Sequence, residues 1–369
     1  MKYYIIAGEA SGDLHGANLM RALYNENPNA TIRFWGGDLM QHIGGTLVSH
    51  YKERAFMGFL EVVMNLFKVL SFIKLAKKDI AQFQPDVIIF IDNSGFNLRV
   101  AKWAKKQGFK TNYYISPQVW ASRASRVKDI KRDIDNMFVI LPFEKKFYEK
   151  YNYNVAFVGH PLIDAIAERK KVDELAFRQE YALTNLPIIA LLPGSRKQEI
   201  TKMLLVMLSI VEDFSEYQFV IAGAPSQDLS FYQKIIGNRK ICFIKNQTYD
   251  LLSVSHAALV ASGTATLEAA LFKVPQVVCY KGGTISYQIA KRIITLKFIS
   301  LVNLIMDKEV VKELIQKDFN KKHLKTALTK ILDHSHREKL ISAYVDLENK
   351  LGGKGASEKV AKQIVANLK

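Results

Sequence analysis

Short apolar, β-branched runs alternate along this chain with amphipathic stretches of helical period, and most runs stop at a turn of Gly, Ser, Asn or Asp. In the first half the pattern predicts strands at 3–7, 32–35, 87–91, 111–115, 136–140 and 155–158. Helices are expected between them at 14–25, 59–81, 97–106, near 123–132 and 143–150. The second half repeats the scheme with strands near 188–192, 218–222, 241–244, 257–260 and 276–280. Such alternation predicts parallel sheets covered by helices on both faces. The chain therefore reads as an α/β protein with two Rossmann-like, doubly wound parallel-sheet domains. Gly159-His160-Pro161 breaks the first pattern, which sets the expected domains at 1–162 and 163–344. Two helices around Gly352-Gly353-Lys354-Gly355 close the chain; residues 345–369 pack back on the first domain or on that of a second copy, so a homodimer is one arrangement to test.

Composition narrows the partners. With 369 residues and 49% hydrophobic content, the chain can bury two separate cores. Its two cysteines, Cys242 and Cys279, lie in or beside apolar runs and form no C-x-x-C pair, which suits a reducing compartment. The first apolar run starts too early for a signal peptide, so the expected location is the cytoplasm. The most apolar stretch, Phe56 to Ile73, is interrupted by Glu61, Asn65 and Lys68, short of the roughly 20 apolar residues that a membrane span needs. A net charge of +17 calls for an acidic partner. No RNP, helix-turn-helix or zinc-finger pattern is visible and the basic residues form no tail, so nucleic acid is set aside in favour of anionic lipid or a phosphorylated substrate.

The candidate chemistry lies at strand ends, where doubly wound sheets bind ligands. The run at 3–7 opens into Gly8-Glu9-Ala10-Ser11-Gly12-Asp13, whose two carboxylates would repel a phosphate. The run at 188–192 opens instead into Pro193-Gly194-Ser195-Arg196-Lys197-Gln198-Glu199, where a helix N-terminus and cations suit an anion. Ser195 and Gln198 fit a capping box, which leaves Arg196 unexplained, because a first-turn cation opposes the helix dipole unless an anion lies between them. Ser262-Gly263-Thr264-Ala265-Thr266-Leu267-Glu268 opens another helix with small residues that let amides and hydroxyls approach a diphosphate. Glu268, one turn in, could accept from ribose hydroxyls, although an acid in a first turn also serves the dipole.

Asp92 ends the apolar run 87–91, ahead of Asn93, and is the general-base candidate. Aspartate is also a common helix cap, a duty that Ser94 or Asn97 could take instead. His15 and His160 each adjoin a glycine and could move protons, whereas His323, His334 and His336 fall in charged, surface-like sequence. No group of ligating residues has metal spacing, so neither a metal nor another cofactor is expected. In residues 56–73, Phe59, Val62, Val63, Leu66, Leu70 and Ile73 make one apolar stripe. Leu60, Met64, Phe67 and Phe72 add a second, flanked by Lys68, Lys74, Lys77 and Lys78. That pattern fits a helix lying in a membrane interface and equally one buried on both sides.

Taken in order, Ala7 to Asp13, Met57-Gly58-Phe59-Leu60-Glu61-Val62, Ser116-Pro117-Gln118-Val119-Trp120-Ala121, Leu141-Pro142-Phe143-Glu144, Gly159-His160-Pro161, Leu192 to Arg196 and Ala261 to Glu268 resemble the lipid-A-disaccharide synthases, inverting glycosyltransferases of GT-B type. The likeness covers nearly the whole chain. It implies two domains facing across a cleft, and transfer from UDP-2,3-diacylglucosamine to 2,3-diacylglucosamine 1-phosphate through a β-1,6 bond with release of UDP. Both acylated sugars become implied partners, together with an anionic membrane: Phe59, Leu60, Val63, Met64, Phe67, Lys68 and Lys74 would meet the cytoplasmic face of the inner membrane. By motif, Asp92 matches the family's essential aspartate and Arg196 its essential arginine. Gly194, Ser195, Ser262, Gly263, Thr264, Ala265, Thr266, Glu268 and Asn303 fall on the donor side, and Gly8, Glu9, Ser11, Gly12, Asn93 and Gln118 on the acceptor side. Two departures stand out: Asn93-Ser94-Gly95 replaces a second aspartate and a proline frequent in the family, and Val302 replaces a frequent proline before Asn303. A UDP-N-acetylglucosamine 2-epimerase of the same architecture is the rival reading.

Overall fold

The computed structural model describes residues 1–54, 66–283 and 296–368. Two compact units result, one of residues 1–164 with 351–369 and the other of residues 165–350. Among the described residues, unit 1 carries seven strands: β1 (Lys2–Ala7), β2 (Thr31–Gly36), β3 (Thr46–His50), β4 (Val87–Ile91), β5 (Thr111–Tyr114), β6 (Asn136–Val139) and β7 (Ala156–Phe157). Unit 2 carries six among the described residues: β8 (Ile188–Leu192), β9 (Gln218–Gly223), β10 (Cys242–Lys245), β11 (Ser255–Ala261), β12 (Gln276–Tyr280) and β13 (Lys312–Ile315).

Every pairing is parallel, in the orders β3-β2-β1-β4-β5-β6-β7 and β10-β9-β8-β11-β12-β13. In each sheet the winding reverses once, between β1 and β4 in unit 1 and between β8 and β11 in unit 2. The carboxyl ends of such strand pairs are where doubly wound sheets bind ligands.

Alternate residues of the first sheet feed two cores. Tyr4, Ile6, Ile88, Phe90 and Tyr113 pack under the helices Leu66–Phe83 and Ser94–Lys106. Tyr3, Ile5, Ile89, Ile91 and Tyr114 pack under the helices Ala10–Glu26 and Ala356–Ala366. The last helix thus belongs to unit 1, and Asp164 fastens its start by accepting hydrogen bonds from the Gly355 and Ala356 amides at 2.7 and 3.0 Å. Helix 66–83 is pinned by a buried polar knot: Arg33 grips Asp79 in two bonds of 2.7 and 2.8 Å, Asp79 accepts from the Tyr4 hydroxyl, and that hydroxyl accepts from Trp35 Nε1.

Several expectations need correction. The helix expected near 123–132 is two short pieces, Val119–Ser122 and Val127–Asp133, with a 3₁₀ turn between them. Within helix 66–83 the buried stripe is Ile73, Ala76 and Ile80, with Val69, Phe72 and Phe83 packed beside it. Leu70, expected in that stripe, is exposed, and Phe72, expected in the outer one, packs edge-on against Trp35. The stripe is registered by the Asp79 knot in the helix's second half, so a stripe counted forward from residue 59 is out of phase.

Candidate functional site

In unit 1 the site grows from the ends of β1 and β4. Asp92 and Asn93 both take left-handed backbone conformations, φ 47° and 42°, which Asp and Asn tolerate better than other side-chain-bearing residues. The kink is held from behind: the Asp92 carbonyl accepts from the Tyr113 hydroxyl and, at 2.8 Å, from the buried Asn97 amide, which also reaches the Ile91 carbonyl at 3.1 Å. Neither Asp92, Ser94 nor Asn97 caps the helix that follows; Asn93 is its N-cap, without a side-chain bond. The Asp92 carboxylate is thereby left for other work. Burial raises its pKa, the charge of Glu9 raises it further, and the Asn93 amide pulls the other way.

Gly8 is required by this arrangement, since a β-carbon there would overlap the Asn93 side chain. Glu9 and Ser11 are exposed, while Gly12 packs against Ala7. Asp13, expected to repel anions, is buried instead, and its carboxylate accepts from the amides of Gly37, Leu39 and Met40 at 2.7–3.1 Å. It caps the helix Asp38–Ile43 from another element. His15 and His160 are also buried, and burial lowers them to about 4 and about 3, with the charge of His15 adding to the effect at His160. Burial thus favours the neutral form of both rings.

Gln118 is exposed on the loop after β5, the strand beside β4. That loop is tied down by the buried Glu144, which accepts from the Ser116 hydroxyl, from Trp120 Nε1 at 3.2 Å, and from the Leu141 and Ile140 amides at 2.9 and 3.2 Å. Burial outweighs those donors and pushes the Glu144 carboxyl up to about 7.

In unit 2 the corresponding ends belong to β8 and β11. Gly194 turns with φ 104°, and a side chain there would press on Glu199 and meet Ala261, so the two loops lie side by side. The helix Lys197–Leu208 starts one residue later than expected, with Arg196 as N-cap and no capping bond from Ser195. The Ser195–Gln198 capping box therefore does not form; Ser195 instead offers its carbonyl to the Ser226 hydroxyl at 3.2 Å, joining the loop after β9. Arg196 extends into solvent with its side chain 82% exposed, held loosely by Glu199 at 3.2 Å. Glu199 supplies an anion beside this cation, yet at such exposure the pair is worth at most about 1 kcal/mol and leaves the guanidinium free to engage something stronger.

The helix Thr264–Leu271 starts at Gly263 and Thr264, both exposed, so its first amides face outward without intrahelical partners. The hydroxyls beside them are committed elsewhere: Ser262 donates to the Ile299 carbonyl at 2.9 Å, and the fully buried Thr266 donates to the Gly263 carbonyl at 2.8 Å. Thr266 thus shapes the turn and is not at hand for a ligand. Ala265 is partly buried. Glu268 sits in the second turn rather than the first, so the helix dipole does not explain it. It is largely enclosed, burial raises its pKa, and the Tyr249 hydroxyl donates to it at 2.9 Å.

Asn303 departs from expectation. It is fully buried, its amide nitrogen donates to the Val311 carbonyl and Glu313, and its oxygen accepts from the Val310 and Val311 amides, all at 2.8–2.9 Å. Every one of its bonds serves the approach to β13, which removes it from a ligand-contacting role. Phe59, Leu60, Val63 and Met64 lie outside the described residues. Phe67 is 87% exposed, and Lys68 and Lys74 stand in solvent beside it, whereas Lys77 lies over the Trp103 ring at 5.8 Å. Among the described residues no grouping of His, Cys, Asp and Glu could hold a metal ion, and no helix is long and apolar enough to cross a membrane. Cys242 and Cys279 are free thiols that burial pushes up.

The sequence matches the lipid-A-disaccharide synthetase family over residues 3–367. Among similar proteins, the lipid-A-disaccharide synthase of Syntrophus aciditrophicus is 38% identical over 99% of this chain and 97% of its own length, and that of Coxiella burnetii is 37% identical over the same shares. Solved structures show the same architecture at much lower identity. The UDP-GlcNAc 2-epimerase of Neisseria meningitidis bound to UDP-GlcNAc superposes with a TM-score of 0.73 at 15% identity, covering both chains fully. The calicheamicin glycosyltransferase CalG4 does so at 0.60 and 14%, covering 100% of this chain and 98% of its own.

Proposed function

The chain belongs to the lipid-A-disaccharide synthase family, and from that premise we infer that unit 2 takes the UDP-sugar donor while unit 1 presents the acceptor to Asp92. The enzyme is an inverting glycosyltransferase of lipid A biosynthesis, joining UDP-2,3-diacylglucosamine to 2,3-diacylglucosamine 1-phosphate with a β-1,6 bond and releasing UDP. The observation that carries the assignment of roles is the contrast between the two winding reversals. In unit 1 a half-buried carboxylate with a raised pKa stands on a strained turn; in unit 2 an exposed cation and a bare helix N-terminus stand together.

Asp92 takes the proton of the acceptor's 6-hydroxyl, the alkoxide oxygen forms the new bond at the donor's anomeric carbon, and the bond from that carbon to the diphosphate breaks with its electron pair leaving on UDP. Arg196 and the amides of Thr264 and Ala265 balance the growing diphosphate charge. The acyl chains of both sugars draw the enzyme to the cytoplasmic face of the inner membrane, where the exposed Phe67, Leu70 and Leu75 and their lysines fit an anionic bilayer surface.

UDP release from the diacylated donor, measured with and without acceptor, tests the reaction; release that ignores the acceptor overturns it. Asp92→Asn removes the base and lowers turnover by about a hundred- to ten-thousand-fold while UDP still binds. Near-normal turnover in that variant takes the base role away from Asp92. The same chain incubated with UDP-N-acetylglucosamine alone is expected to form no 2-epimer.

A further inference from the structure

Tyr249 stands in the short helix Thr248–Ser253 beyond β10, and its hydroxyl donates to Glu268 Oε1 at 2.9 Å. Its ring is held in place. The Arg169 guanidinium lies over it at 5.2 Å from the centroid, Phe272 packs at 5.4 Å, and Arg169 is itself anchored by the neighbouring Asp250 at 2.5 Å. A phenol braced in this way has one direction in which to donate, and Glu268 occupies it. Among the described residues no second donor reaches Glu268, which leaves the carboxylate's other oxygen unspent.

We propose that Tyr249 is a positioning residue that fixes Glu268 as an acceptor for the ribose hydroxyls of a bound nucleoside diphosphate, and so sets the preference of unit 2 for ribose over deoxyribose. The proposal rests on the reading that unit 2 holds UDP. A neighbouring pair of sugar hydroxyls donates best to a carboxylate that is ionised and whose plane is fixed. Burial alone favours the protonated form, which would turn an acceptor into a donor. The Tyr249 hydroxyl opposes that tendency by bonding the charged form, and it anchors one oxygen so that the other presents a fixed lone pair. Arg169 and Asp250, the charged residues beside the ring, pair with each other, and at Glu268 itself the Tyr249 bond is the one interaction that opposes burial. A site built to accept from a hydroxyl discriminates strongly against an analogue that lacks it.

Calorimetric titration of the full chain with UDP and with 2′,3′-dideoxyuridine diphosphate tests this. The wild type is expected to prefer UDP by at least tenfold or so, the scale of a hydrogen bond to a charged group. Tyr249→Phe should weaken UDP by roughly tenfold, leave the dideoxy analogue unchanged, and move the loss of UDP affinity at acid pH to higher pH. Glu268→Gln should remove most of the discrimination, and adding Tyr249→Phe to it should change nothing further. Equal weakening of both nucleotides, or an unchanged preference in Tyr249→Phe, overturns the proposal. Should Tyr249→Phe fail to fold, a Glu268→Gln variant that keeps its preference for UDP overturns it as well. A wild type that binds neither nucleotide defeats the donor reading of unit 2 itself, and this proposal with it.

Discussion

Asp92 gathers its reactivity from neighbours that are remote in sequence. Its carboxyl is raised first by burial and then by the charge of Glu9 at the end of the neighbouring strand β1. A base acts only when ionised, so kcat/KM must fall as pH drops through that raised value. Glu9→Gln removes one of the two causes and should shift the acid limb of the pH profile to lower pH; a limb that stays in place belongs to another group. Asp92 is legible in sequence because an acid closing an apolar strand has few other uses. Tyr113, Asn97 and Tyr249 are not legible in these roles: an aromatic in a strand or helix reads as core, and Asn97 reads as a candidate helix cap. Their bonds run to residues 21, 5 and 19 positions away. Asn303 shows the opposite error, in which a polar side chain looks available until its four partners come into view.

At the level of elements, the interior strands announce themselves because both faces are covered, so nearly every residue of β1, β4, β8 and β11 is apolar. The edge strands β3, Thr-Leu-Val-Ser-His, and β13, Lys-Glu-Leu-Ile, are partly exposed and carry the polar residues that edges favour, which hides them from a pattern search. Helix 66–83 shows how much an anchor matters, since the Asp79 knot decides which side faces out. Its outward side offers Phe67 and Leu70 beside Lys68, Lys74 and Lys78, whereas the Lys77 charge is engaged by Trp103. Changing Lys68, Lys74 and Lys78 to glutamine should cost roughly 1 kcal/mol of attachment each on vesicles rich in anionic lipid and leave UDP binding unaltered. Sedimentation with such vesicles that does not change removes the bilayer from the account.

For the molecule as a whole, the feature with the widest reach is the return of the chain to unit 1 at Leu351. Asp164 holds the returning segment by two backbone amides at the start of its last helix. Asp164→Ala removes both bonds, and loss of such a cap is worth about 0.5–2 kcal/mol. Limited proteolysis should then cut faster within residues 351–355, while UDP affinity in unit 2 stays the same. Equal cutting rates in variant and wild type would mean that the apolar contacts of Val360, Ala361, Ile364 and Val365 secure the helix unaided.

That same return dictates a schedule for synthesis. The portion translated first covers only part of the sheet face that holds Tyr3, Ile5 and Ile89: the helix Ala10–Glu26 is made early, whereas Ala356–Ala366 follows unit 2 in the chain. At about 5–20 residues per second, the gap between Asp164 and Leu351 leaves the rest of that face uncovered for some ten to forty seconds on the ribosome. Unit 2 can mature meanwhile, whereas unit 1 is complete only when its last helix arrives.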